Sequence, residues 1–144
     1  MKPAAGFSLV ELVVVLVIAG ILAALAIPRF TDSESKATWF HEQVKAAVRY
    51  AQRQAVAQRR CVFVSVTATQ VQLFYGNASC AITATPVADI ATTTDYALTA
   101  PSGVTISSSA ATFSFNALGR PSGPVTLSVA GRSINVTDET GYVF

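Results

Sequence analysis

The side chain in the least hospitable setting is Glu11. It is the one charged residue between Lys2 and Arg29. The run Phe7–Ile27 around it is 21 residues long, and as a helix it would span about 31 Å, close to the hydrocarbon thickness of a bilayer. Pro28 and Arg29 close the run, and the single positive charge of the Met1–Gly6 leader holds that end on the cytoplasmic side. A carboxylate at the centre of such a helix costs ~2.5–3.5 kcal/mol, and less near an interface. Three readings compete: a plain membrane anchor, a secretory signal cut after Ala24-Leu25-Ala26, and a leader cut before the apolar run. The first two gain nothing from Glu11. The third does, because cleavage after Gly6 leaves an ammonium on Phe7, one helical turn from the carboxylate. The amine of a neighbouring copy can then pair with Glu11, which offsets the desolvation of both charges and fixes register in an otherwise featureless helix.

The remaining candidates for chemistry are fewer. Lys45, Arg49 and Arg53 recur at helical spacing, extended by Arg59 and Arg60. A nucleic-acid stripe and a solvated helix face both fit this ladder. The second is favoured, because no aromatic residues interleave with the charges for base stacking. Cys61 and Cys80 are an even pair, compatible with one disulfide in an oxidising compartment, worth about 3 kcal/mol on a chain-entropy account, or with two buried thiols. His41, the sole histidine, falls on a helical pattern with no cysteine nearby and reads as a helix-surface residue. Asp138-Glu139 reads as a turn before the last strand. No zinc spacing, phosphate loop or nucleophile motif is present, so the sequence implies no metal, no cofactor and no enzyme. Charged residues make up only 12% of the 144 and hydrophobic ones 51%, with a net charge of +2. That balance points to a membrane or an assembly, not to a polyanionic partner.

The segment Gly6-Phe7-Ser8-Leu9-Val10-Glu11-Leu12, with its unbroken apolar run and Pro28, resembles the type IV prepilin signature. The resemblance implies that a membrane prepilin peptidase cuts after Gly6 and methylates the amine of Phe7, with Glu11 as the assembly glutamate. It implies as partners other pilin or pseudopilin subunits, an inner-membrane assembly platform and membrane lipid. The expected place is the bacterial inner membrane, single-pass, with the C-terminal part in the periplasm, and then a pilus or a type II secretion pseudopilus. Gly20 within the helix reads as a close-packing residue; the resemblance implies instead a helix break, with melting between Gly20 and Pro28 on entering a filament.

These residues need elements to position them. Thr31–Ser35 is polar with helix-start residues, and a helix is predicted over about 36–58. Trp39, Phe40, Val44, Ala47, Val48, Ala51 and Ala55 give it an apolar face, with Glu42, Lys45, Arg49, Gln52 and Arg53 opposite. This helix is expected to continue the membrane helix and to pack on a C-terminal sheet. From Cys61 the period falls to two, so Val62–Thr67 and Gln70–Tyr75 read as a hairpin before Gly76-Asn77. Residues 81–112 are rich in Ala, Thr and Ser and read as a long surface loop with one short strand near Val104–Ser107. Thr112–Asn116, Val125–Val129, Ser133–Thr137 and Tyr142–Phe144 read as strands separated by turns at 119–123 and 131–132. The expected fold is α+β: a long N-terminal helix, half membrane and half amphipathic, on an antiparallel β-sheet domain. Its parts are a leader at 1–6, a transmembrane assembly helix at 7–27 and a periplasmic domain at 28–144.

Three further segments carry a narrower resemblance: Tyr50-Ala51-Gln52-Arg53-Gln54-Ala55, Phe115-Asn116-Ala117-Leu118-Gly119-Arg120 and Gly141-Tyr142-Val143. They are similar to the GspH/FimT group of minor pilins and pseudopilins, and to the minor pilin of mannose-sensitive haemagglutinin pili. Some members of that group bind DNA for natural transformation through a C-terminal Gly-Arg-x-Arg motif. Here Gly131-Arg132-Ser133-Ile134 lacks the second arginine. The alternative of a DNA-binding minor pilin, with contacts at Arg49, Arg53, Arg120 and Arg132, therefore stands second to a structural subunit.

Overall fold

The computed structural model describes residues 8–26, 33–89 and 92–144. The chain divides into two compact units, Met1–Ser35 and Lys36–Phe144. Gly6, Phe7 and Pro28 lie outside the described residues, as does the junction at which one helix was expected to run on into the next.

In the first unit, α1 runs from Leu9 to Ala26. Its Val, Leu, Ile and Ala residues carry no polar group that competes for the backbone, and Glu11 in the first turn faces the positive end of the helix dipole. The helix continues through Gly20 without interruption, and a Cβ built there would meet open space among the described residues. The helix is apolar on every side, and its described large side chains are all exposed, from Leu9 (78%) to Leu22 (61%). Among the described residues no helix is long and apolar enough to cross a membrane; the expected 7–27 span extends past them at both ends.

The second unit is built on α2 from Lys36 onwards; the helix itself runs Ser33–Gln58, starts slightly earlier than the predicted 36 and carries Glu34 in its first turn. It contains no glycine or proline and is rich in alanine, so nothing interrupts the backbone ladder. It ends by design of the backbone. Arg59 takes a left-handed φ of 51°, the Arg59 amide donates to the Val56 carbonyl at 3.3 Å and the Arg60 amide to the Ala55 carbonyl at 3.1 Å. These two bonds satisfy carbonyls that the last turn leaves open, the pattern usually closed by glycine. Phe40, Val44, Ala47, Val48, Ala51 and Ala55 are fully buried, as the periodicity predicts. Trp39 is not: it is 61% exposed, one residue off the buried stripe and so rotated about 100° from it.

Behind α2 stand two antiparallel sheets sharing one core with it. The first contains β1 (Val62–Val66), β2 (Gln70–Gly76), β3 (Ile82–Pro86), β4 (Ala97–Thr99) and β6 (Thr112–Phe115); the second contains β5 (Ile106–Ser108), β7 (Val125–Val129) and β8 (Arg132–Val136). β1 is central, with Val64 opposite Leu73 of β2 on one side and Phe113 of β6 on the other. The alternating pleat therefore brings Val62, Val64, Val66, Val71, Leu73, Phe113 and Phe115 to one buried face. In the second sheet Leu127 lies opposite Ile134. Residues 142–144 extend that sheet through a bridge between Val136 and Val143, two backbone bonds joining Asn135 and Phe144, and the Thr137 amide donating to the Tyr142 carbonyl at 3.0 Å.

The strands of the expected antiparallel β-sheet domain are arranged as two sheets. The structure corrects one expectation here: in the 81–112 segment, besides the strand expected near Val104–Ser107, which is β5 and opens the second sheet, β3 and β4 share the outer edge of β2. Tyr96, next to β4, stacks on Tyr50 of α2 at 5.3 Å between ring centroids. Its phenol titrates above the ordinary range, first through burial, then through the nearby Asp89 and Tyr50.

Candidate functional site

Glu11 is the only charged residue of α1 and is exposed in its first turn. On such a surface it is the one group able to recognise a partner by charge; every other contact the helix can make is apolar.

In the second unit, the three segments that carried the narrower resemblance meet. Gln52 donates from Nε2 to the carbonyls of Gly119 and Thr140, both at 3.0 Å. Arg49 donates from Nη2 to the Val143 carbonyl at 2.8 Å. Asn116 Oδ1 accepts the amides of Leu118 and Arg120, which closes the turn that presents Gly119. Arg120 then donates from Nε to the Glu139 carbonyl at 2.9 Å. Gly141 sits in the left-handed region at φ 66°, and a Cβ there would collide with the Gly119 carbonyl and the Gln52 amide. One face of α2 thus holds the 116–120 turn and the 137–143 turn by their backbone oxygens.

This changes the reading of the basic residues. Arg49 and Gln52, expected on the solvated face, are half-buried and bound to the C-terminal segment. Arg120 is tied to Glu139, and Arg132 donates from Nη1 to Thr38 Oγ1. Of the four candidate DNA contacts only Arg53 stands exposed without such a contact to backbone or hydroxyl among the described residues. His41 is half-buried, its ring nitrogens 3.3 Å from Glu42 Oε1 and 3.4 Å from the Ser133 carbonyl, and no cluster of metal-ligating side chains forms among the described residues.

A disulfide joins Cys61 to Cys80, with Cα atoms 5.4 Å apart. It links the end of α2 to the β2–β3 turn. Gly76 permits this approach: its amide donates to the Cys61 carbonyl at 2.7 Å, and a Cβ there would lie 2.9 Å from Cys61 Cβ. Arg60 donates to the Gly76 carbonyl at 2.8 Å and stacks over the Tyr75 ring at 4.2 Å.

The sequence drew attention to Gln52 only as a residue of the helix's polar face and as part of a family-like string. What it missed was the role, since a glutamine's two carbonyl partners lie 67 and 88 residues away.

An amphipathic helix on antiparallel sheets, in a chain whose separate first unit is a uniformly apolar helix with one carboxylate, defines a pilin-like subunit. The chain belongs to the GspH family: the profile of the type II transport protein GspH matches residues 42–141, and that of the prokaryotic N-terminal methylation motif matches residues 1–27. Two solved structures share the fold. The type IV minor pilin FimU of Pseudomonas aeruginosa superposes with a TM-score of 0.61 at 16% identity, over 77% of this chain and 88% of that one. The minor pseudopilin EpsH of the Vibrio cholerae type 2 secretion system gives 0.60 at 13% identity, over 76% and 94%. By sequence, the type IV narrow pilus major component PilA5 of Thermus thermophilus is 45% identical over 58 residues, 40% of this chain. The chain spans about half the length of that curated relative.

Proposed function

We propose that this chain is a structural subunit of a type IV pilus or a type II secretion pseudopilus, built in through its N-terminal helix. Phe7–Ile27 holds the precursor in the inner membrane with its C-terminal unit in the periplasm. Prepilin peptidase removes Met1–Gly6 and methylates Phe7, and the assembly platform passes the subunit into the filament. There the Phe7 ammonium of one copy meets Glu11 of the next, and the segment from Gly20 to Pro28 loosens to let the helices pack. The chain catalyses nothing itself. The observation that carries this reading is Glu11, a lone carboxylate in the first turn of a helix whose described large side chains are otherwise apolar and exposed. A charge kept there is intelligible only if a cation arrives to meet it. The family match, the methylation motif and the likeness to pilins and a pseudopilin support it.

The test is Glu11→Ala in the host cell. The variant should be processed normally, remain in the membrane and fall at least about tenfold in sheared filaments, the loss of roughly one buried ion pair. Incorporation at the wild-type level would remove Glu11 from the assembly contact.

A further inference from the structure

The disulfide does not simply close a loop; it lies at a cleft. A cavity of about 400 Å³ has Arg59, Arg60, Cys61, Cys80, Asn77 and Asn116 among its lining residues. That is the size of a small-molecule site. Two guanidinium-bearing residues line it, and no acidic residue does among the described ones. The two sulfurs are not equivalent: Cys61 is 3% exposed, whereas Cys80 is exposed at the tip of the β2–β3 turn. Cys80 also sits at a left-handed φ of 54°, costly for a residue with a Cβ. The turn is held independently of the sulfur bond, by Asn77 accepting the amides of Ser79 and Ala81 on Oδ1 and by the Cys80 amide donating to the Asn77 carbonyl.

We propose that this cleft is a thiol-exchange site for small anionic thiols, with Cys80 as the sulfur attacked. The incoming thiolate bonds to Cys80 Sγ as the Cys61–Cys80 bond breaks, and Cys61 leaves as a thiolate. One disulfide is lost and one formed, so no outside oxidant is needed; Cys61 then takes a proton from solvent. The positive lining favours the step twice. It concentrates an anionic thiol at the cleft, and it stabilises the thiolate that departs. Because the turn keeps its own hydrogen bonds, Cys80 stays in place when the bond opens, so the mixed disulfide is reversible: Cys61 can attack it and expel the thiol.

The experiment uses the oxidised full chain in detergent, with glutathione, a thiol carrying two carboxylates, and cysteamine, a cationic one. Rates are compared per thiolate and normalised to those against an uncharged small disulfide. Glutathione should react about 3–10 times faster than cysteamine at low salt, and the ratio should approach one near 1 M salt. After alkylation of the free thiol, peptide mapping should place the glutathione adduct on Cys80 and the alkyl group on Cys61. Arg59→Gln should bring the ratio towards one without changing the cysteamine rate downward. An adduct on Cys61, an even split, or a ratio at or below one in the native chain would overturn the proposal, as would a ratio untouched by Arg59→Gln.

Discussion

The two helices of this chain solve the burial problem in opposite ways. α2 alternates its chemistry every three to four residues, and its apolar stripe disappears into a core with two sheets: Phe40 and Val48 are fully buried. α1 is apolar on every side, and each large described side chain from Leu9 to Leu22 stays exposed. A stripe can be covered by the helix's own domain, whereas a helix apolar all round must be covered from every direction, which only lipid or a bundle of other helices provides. The difference separates what the subunit needs in order to fold from what it needs in order to assemble. On the proposed function, Glu11 belongs to the second requirement. The carbonyl-binding groups of α2, Arg49 and Gln52, belong to the first.

Substitutions can break or sharpen that division. The largest effect should come from Phe40→Ala, which empties a fully buried site shared by α2 and the sheets and should cost about 3–5 kcal/mol in denaturant unfolding of the second unit. Leu16→Ala, on the exposed surface of α1, should leave that same transition unmoved; a comparable loss would erase the distinction between the helices. Gly141→Ala follows, since it forces a Cβ against the Gly119 carbonyl and the Gln52 amide at a left-handed φ, and should cost about 1–3 kcal/mol by the same measurement. Arg59→Gly is smallest and opposite in sign. Glycine relieves the left-handed residue that ends α2 while keeping both capping bonds, so the unit should gain up to ~1 kcal/mol.

Much of this architecture is legible in the residues because the strong periodicities are also the buried ones. The stripe from Phe40 to Ala55, the Val62–Val66 alternation and the Phe113/Phe115 pair all mark faces that burial then fills. The 81–112 segment is different. β5 is legible as a short strand near Val104–Ser107, but β3 shows mostly exposed positions and β4 is three residues long, so pairing with a neighbour makes those two strands and their own side chains do not. Local composition carries no trace of that pairing. Trp39 misled because size and apolarity suggest burial, while its angular position on the helix puts it outside the stripe. Arg49 and Gln52 misled for the converse reason: long polar side chains at a stripe's border read as solvated, yet they can reach backbone carbonyls that only the fold brings near. The segment of Tyr50–Ala55 could be recognised as family-like, but its physical task as a clamp on two turns became visible only with Gly119 and Thr140 beside it.

Everything assigned to α1 depends on an ammonium being generated one turn before Glu11 and presented to a neighbouring copy. Mass spectrometry of the N-terminal peptide, taken from chain extracted from the host's membranes or sheared filaments, reads this directly. The expected result is a chain that begins at Phe7 and carries one added methyl group. A chain that still begins at Met1, or that begins after Ala26, would contradict the assembly role of Glu11 and return the apolar segment to an anchor or a discarded signal.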